Sequence, residues 1–270
     1  MPTLVLSRRY TEDSSSMWRA ALAAGWDVER LLSYEPPTDL PQRNPVIYGE
    51  TLMADALAGP LGLTLLEPTL DWLATLPIAH VKRNIRATTL GAMRAVPERA
   101  FVKPVDEKIF QARVYAAGEH IDAERTFPDE AGVLVSEIVT FGLEVRAFVL
   151  EREVASLSAY MREGRIAKND EGEWPLAEAE RDEASAFLAT VLADPAVRLP
   201  PAVVVDVGRA EGLGWVIVEA NPCWASGLCG CDPRDLLPVM RRANVHTRAL
   251  PETDKPWSRA GHTILWPEGP

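Results

Sequence analysis

The stretch that most limits what this chain can become is residues 203–232, VVVDVGRAEGLGWVIVEANPCWASGLCGCD. It reads as two apolar strands joined by a Gly-rich turn, with Asp206 on the first strand and Glu219 and Asn221 closing the second. Side chains alternate faces along a strand, so Glu219 and Asn221 share a face. Three hard oxygen donors beside such a loop suit Mg²⁺, which binds a few carboxylates together with phosphate oxygens. The same residues also suit a plain hairpin, with Asp206 at a strand end and Asn221-Pro222 starting a turn. A turn over residues 209–213 would place Asp206 opposite Val216, roughly 10 Å from Glu219 along the ribbon; a bulge or a bridging ion would have to close that gap.

Before this hairpin the chain alternates helical and strand signals. Thr3–Ser7 reads as a buried strand, and Asp13 with serines 14–16 as the N-cap of a helix ending at Gly25. Residues 26–32 and 45–49 read as strands, 50–59 as a helix and 63–66 as a strand, the order of a small α/β unit. Residues 80–96 are expected to form one longer helix carrying Lys82, Arg83, Arg86 and Arg94. Arg83 or Arg86 would reach an anionic substrate only from within a pocket. His80 is expected at the surface or at a boundary.

Further on, strands are expected at 100–104, with Lys103 at its end, and at 111–116, 132–139 and 143–150. In the last of these, Glu144 and Arg146 share one face while Val145, Ala147 and Val149 fill the other. Such a pair is either a surface salt bridge or the lining of a cleft. Residues 151–175 are polar, with KNDEGEW among them a turn, and 176–193 read as a helix. Asp232-Pro233 reads as an N-cap with proline at the first helical position. The tail from Asn244 is loop-like, with Trp257 and Trp266 pinning it to the body.

A chain with 28 basic and 39 acidic residues, net charge −11, lacks general affinity for nucleic acid or anionic membrane. No span is long and apolar enough to cross a bilayer, and a cytoplasmic protein is expected. Cys223, Cys229 and Cys231 are spaced for neither a disulfide framework nor a zinc ribbon, and read as buried or loop thiols. A G-x-G-x-x-G fingerprint is absent.

Lys103 in FVKP, the strand pair SEIV and LEVR, then D-x12-E-x-N at Asp206, Glu219 and Asn221 resemble, in that order, the ATP-grasp superfamily. The phrase VIVEANPCWASGLCGCDP with EVRAFVL looks closest to a divergent clade that also holds the eukaryotic assembly factor for translation initiation complexes. The resemblance implies an α+β fold. Two subdomains would grip ATP over residues 79–270, preceded by a small α/β domain over 1–78. It places Lys103 on the phosphates, Glu137, Ile138 and Val139 on adenine, Glu144 on ribose and Arg146 on the phosphates, with Asp206, Glu219 and Asn221 as Mg²⁺ ligands. Lys103 and Arg146 would act in catalysis. After Lys103 the sequence PVDEKIF lacks the family's glycines, so Lys108 would supply phosphate contact by charge. Trp224, Ser226 and Gly227 would wall the substrate.

The implied activity is ATP- and Mg²⁺-dependent joining of a carboxylate to an amine or thiol through an acyl phosphate. The carboxylate and amine could belong to a small molecule, a peptide or a protein. The alternatives are an ATP-binding assembly factor without ligase activity, and a small-molecule kinase.

Overall fold

The structure, a computed structural model, describes residues 1–105, 110–121 and 128–259. It begins with a parallel sheet of order β2-β1-β3, made of β1 (Thr3–Leu6), β2 (Asp27–Arg30) and β3 (Pro45–Tyr48). The apolar runs of β1 and β3 are buried throughout, as parallel strands covered on both faces require. Helix α1 (Glu12–Ala23) supplies the crossover between β1 and β2. Its N-cap is Thr11 rather than Asp13 or the serines: Thr11 accepts from the Ser14 amide, and the Ser14 hydroxyl accepts from the Thr11 amide. Helix α2 (Thr51–Ala58) and β4 (Leu63–Leu65) complete this unit.

The single helix expected over 80–96 is three elements instead. These are α3 (Ile78–Val81), β5 (Ile85–Thr89) and α4 (Leu90–Met93). Lys82 ends α3 in the left-handed region at φ 49°, and the β-branched residues of IRATT then pair along residues 132–136. His80 is buried rather than at a surface. Its Nε2 lies 2.8 Å from Asp194 Oδ2.

Strands β5, β6 (Ala100–Pro104), β7 (Arg113–Tyr115) and β8 (Gly132–Ser136) form an antiparallel sheet of order β5-β8-β6-β7. Met93, Val102, Tyr115, Val133 and Val135 fill a core of its own. A larger sheet of order β11-β10-β9-β12-β13 follows, from β9 (Phe141–Leu150), β10 (Glu153–Arg162), β11 (Arg165–Ile166), β12 (Ala202–Ala210) and β13 (Gly214–Asn221). Strands β10 and β11 fall in the stretch read simply as polar. Its KNDEGEW portion is the expected turn, closed by the Glu173 amide donating to Asn169 Oδ1.

One face of the larger sheet, with Val145, Ala147, Val149, Val203 and Val205, packs on α5 (Glu178–Ala193). The other face is divided. Phe148, Ala202 and Val204 pack on α6 (Pro233–Ala243) and on the parallel sheet, whereas Glu144, Arg146 and Asp206 stay free of that core. Asp232 caps α6 by accepting from the Arg234 amide at 2.9 Å. The chain then forms β14 (Asn244–His246), paired with β4, and Trp257 is buried; Trp266 lies outside the described residues. Among these residues no helix is long and apolar enough to cross a membrane.

Candidate active site at the junction of two cavities

The β12–β13 register corrects the expected hairpin. Ala210 pairs with Gly214, so the loop is three residues long and Gly208, not Asp206, faces Val216. Val218 is then an extra residue, a bulge that brings Glu219 opposite Asp206. On the neighbouring strand Arg146 pairs directly with Asp206, and Glu144 with Gly208. The polar side chains of three adjacent strands therefore meet at one level of the sheet.

Between the two antiparallel sheets lies a mostly apolar pocket of about 260 Å³. Ile85, Phe101, Val114 and Leu134 line it from the smaller sheet, Phe141 and Val218 from the larger. The linker between β8 and β9 forms one edge with Glu137, Ile138 and Val139. The Glu137 carboxylate is held there by the Asn84 amide at 2.7 Å, so its side chain braces the linker. Glu144 also lines the pocket. Burial, reinforced by Asp206 and Glu219 and opposed by Arg146, pushes its carboxyl up to about 7.

Lys103 and Glu219 belong both to this pocket and to a second, more polar cleft of about 700 Å³. Lys103 Nζ donates to Glu219 Oε2 at 2.8 Å. The Asn221 amide nitrogen donates to Glu219 Oε1 at 2.9 Å and to Asp206 Oδ2 at 3.2 Å. Behind them Arg146 grips Asp206 with two bonds, Nε to Oδ1 at 2.9 Å and Nη2 to Oδ2 at 2.7 Å. Burial disfavours both charges of that pair. Asp206 nevertheless outweighs it for Arg146, whose guanidinium is raised above its ordinary value. Burial would likewise raise Glu219, but Lys103, Asn221 and Arg146 hold its carboxyl below the usual range.

Two carboxylates and one amide are a donor set that fits Mg²⁺. The Asn221 NH₂ group now bridges the two acids. A half-turn of that amide presents its oxygen instead and frees a lone pair on each carboxylate. Arg146 does not reach toward the cleft as a free cation: its side chain is only 8% exposed, the Asp206 side chain 0%, and its remaining nitrogen, Nη1, turns to Gly227 O at 3.3 Å.

Ser226 and Gly227 line the polar cleft, but Trp224 does not. Trp224 is completely buried in the core and donates its indole N–H to Leu66 O at 3.0 Å. Lys108 lies outside the described residues. The three cysteines are free and buried; burial pushes the Cys229 thiol up to about 11. Sequence reasoning missed several residues here. The Tyr160 ring stacks 4.2 Å from the Arg146 guanidinium carbon. Asp13 accepts from the Leu228 amide at 3.1 Å, and Tyr48 donates to Ser226 O at 3.1 Å. Arg259 lines the cleft between Asp55 and Glu67. Residue spacing holds no signal for contacts across such distances.

Comparison with known proteins bears on this arrangement. A family model describing an ATP-grasp domain, the second family of its clade, matches residues 80–239, more than half of the chain. The chain belongs to that ATP-grasp family. Among solved structures it is similar to the D-cycloserine synthetase DcsG, with TM-score 0.53 and 13% identity over 90% of this chain and 97% of that one. It is also similar to a RimK domain ATP-grasp protein from Sphaerobacter thermophilus DSM 20745, at TM-score 0.47 and 16% identity over 89% and 98%. None of the curated proteins matches it in sequence. At these identities the solved structures speak for the fold alone. The α+β architecture of an ATP-grasp domain behind a small α/β unit is what the chain adopts.

Proposed function

We propose that this ATP-grasp protein is an ATP-dependent ligase that joins a carboxylate to an amine or thiol by way of an acyl phosphate. The carrying observation is the junction at Lys103 and Glu219, shared by an apolar pocket of nucleoside size and a polar cleft large enough for a second substrate. The base would lie among Phe101, Leu134 and Phe141 against Ile138 and Val139, with Glu144 at the ribose. Lys103 would meet the phosphates as they leave the apolar pocket. Mg²⁺ held by Asp206, Glu219 and Asn221 would neutralise the triphosphate. Arg146 orients Asp206 and offsets part of the burial that raises its carboxyl, and so acts behind the metal ligands. Ser226 and Gly227 border the space where the acceptor would sit.

In the reaction a carboxylate oxygen attacks the γ-phosphorus and ADP departs; the amine then displaces phosphate from the acyl carbon. Positioning and charge neutralisation suffice, and no side-chain nucleophile is needed. The D-cycloserine synthetase named above is a synthetase on the same fold, which accords with this reading. The division into a unit over 1–78 and an ATP-grasp domain over 79–270 is likewise proposed, supported by a family match that starts at residue 80. A partner-holding role, with kinship to the eukaryotic assembly factor, has its support in the exposed Tyr10 and Leu32, each 81% accessible on the N-terminal unit.

The test is ADP release with ATP and Mg²⁺ across a panel of carboxylates paired with amines, on wild type and Glu219→Ala. Release that needs both partners and vanishes in a folded Glu219→Ala protein supports the ligase. Release with a carboxylate or alcohol alone, leaving a stable phosphorylated product, would replace it with a kinase. No ATP binding at millimolar concentration would remove both.

A further inference from the structure

Arg83 stands between α3 and β5, directly after the left-handed Lys82. Its side chain reaches across to the larger sheet, where Nη1 donates to Ile217 O at 2.9 Å as well as to Val81 O at 3.0 Å. The residue is 6% exposed, and its Nε is buried without a hydrogen-bond partner. Among the described residues no carboxylate forms an ion pair with it. Burial alone pulls the guanidinium down to about 10.

Native proteins seldom bury a cation without a carboxylate partner. Arg146 shows the contrast within the same molecule. It spends Nε and Nη2 on one carboxylate, whereas Arg83 meets backbone carbonyls. Arg83 also lines the apolar pocket, and its guanidinium carbon lies 5.9 Å from the centroid of the Phe141 ring, another wall of that pocket. The surrounding walls, Ile85, Phe101, Val114, Leu134 and Val218, are apolar. At the boundary with the polar cleft the cation is Lys103, already engaged with Glu219. A guanidinium set among apolar walls suits a flat aromatic ligand that carries acceptor atoms on its edge.

We propose that Arg83 is a nucleobase-binding residue, its guanidinium on the pocket wall beside Phe141 meeting the purine held in the apolar pocket. The assignment rests on the nucleotide reading of that pocket and adds a contact within it. It makes the base a source of affinity in its own right, independent of the phosphates.

The experiment measures dissociation constants for ATP and for adenosine by calorimetry, without Mg²⁺, on wild type and Arg83→Lys. Lysine keeps the positive charge but lacks the planar guanidinium. The expected result is roughly tenfold weaker binding of both ligands, which corresponds to ~1.4 kcal/mol, with the melting temperature near that of wild type. Should Arg83→Lys fail to fold, Arg83→Gln carries the same comparison with a neutral side chain. Unchanged affinity for both ligands in a folded variant overturns the assignment. So does a loss confined to ATP, which would place Arg83 on the phosphates. A wild type that binds neither ligand refutes the nucleotide reading itself, and this assignment with it.

Discussion

Replacing Glu144 with glutamine should remove a pH-dependent penalty from the folded state. Burial and the neighbouring Asp206 and Glu219 carboxylates raise its pKa from 4.5 to about 7, against the pull of Arg146. A carboxyl raised in this way holds its proton more tightly folded than unfolded. Its linkage makes stability fall as pH climbs from the unfolded value to about 7, and leaves it flat on either side. About two and a half pH decades at ~1.4 kcal/mol each set a ceiling of about 3 kcal/mol. Partial solvent access reduces that to about 1–2 kcal/mol. Glutamine keeps the shape and stays neutral throughout. Urea unfolding of both proteins near pH 4.5, 6 and 8 reads the effect, because the other titrating groups are common to both and largely cancel. The two should nearly coincide at the acid end, with the variant about 1–2 kcal/mol the more stable near pH 8. Parallel pH profiles would show that Glu144 ionises normally and that the site does not crowd its carboxylates.

Asp206→Asn should cost about 3–5 kcal/mol of stability, since it leaves the Arg146 cation buried without its counter-charge. An unaltered urea midpoint would contradict the buried pair, and the same argument makes the partly exposed Glu219 the gentler position for testing the metal ligands. Gly208→Ala should weaken ATP binding several-fold in a titration, because the added Cβ would stand 2.6 Å from Phe141 and 2.9 Å from Val218, both walls of the apolar pocket. Unchanged affinity would mean that neither wall touches the nucleotide.

Much of the site could be read from residue order because its parts are local. Asp206, Glu219 and Asn221 lie on one hairpin, and strict alternation over 143–150 separates the core face from the face with Glu144 and Arg146. What escaped depends on pairing that spacing does not encode. EVASLSAYMR looks polar because only the middle of β10 is buried, and it becomes a strand through its long pairing with β9. The basic residues of 82–94 imitate a helical face, yet IRATT has a sheet edge to occupy and takes it. The bidentate hold of Arg146 on Asp206 was equally hidden, since strands β9 and β12 meet only after a helix has intervened. Trp224 sits beside two cleft residues and points the opposite way, into the core. Asp13 and Leu228 touch across 215 positions of sequence.

The parallel sheet and the larger antiparallel sheet share one hydrophobic core that runs from Leu4 through Phe148 and Val204 to Met240. Asn244, at the end of α6, ties that helix to the parallel sheet by exchanging hydrogen bonds with both backbone groups of Ile47. The smaller sheet has a core of its own and meets the rest through Leu134, which packs with Trp72, Leu73 and Ile217. Lys103 stands on the smaller sheet and Glu219 on the larger one, so their ion pair ties the two sheets together across the mouth of the site. Any change in the spacing of the two sheets would be felt first at that contact, because the ammonium belongs to one sheet and the carboxylate cluster to the other.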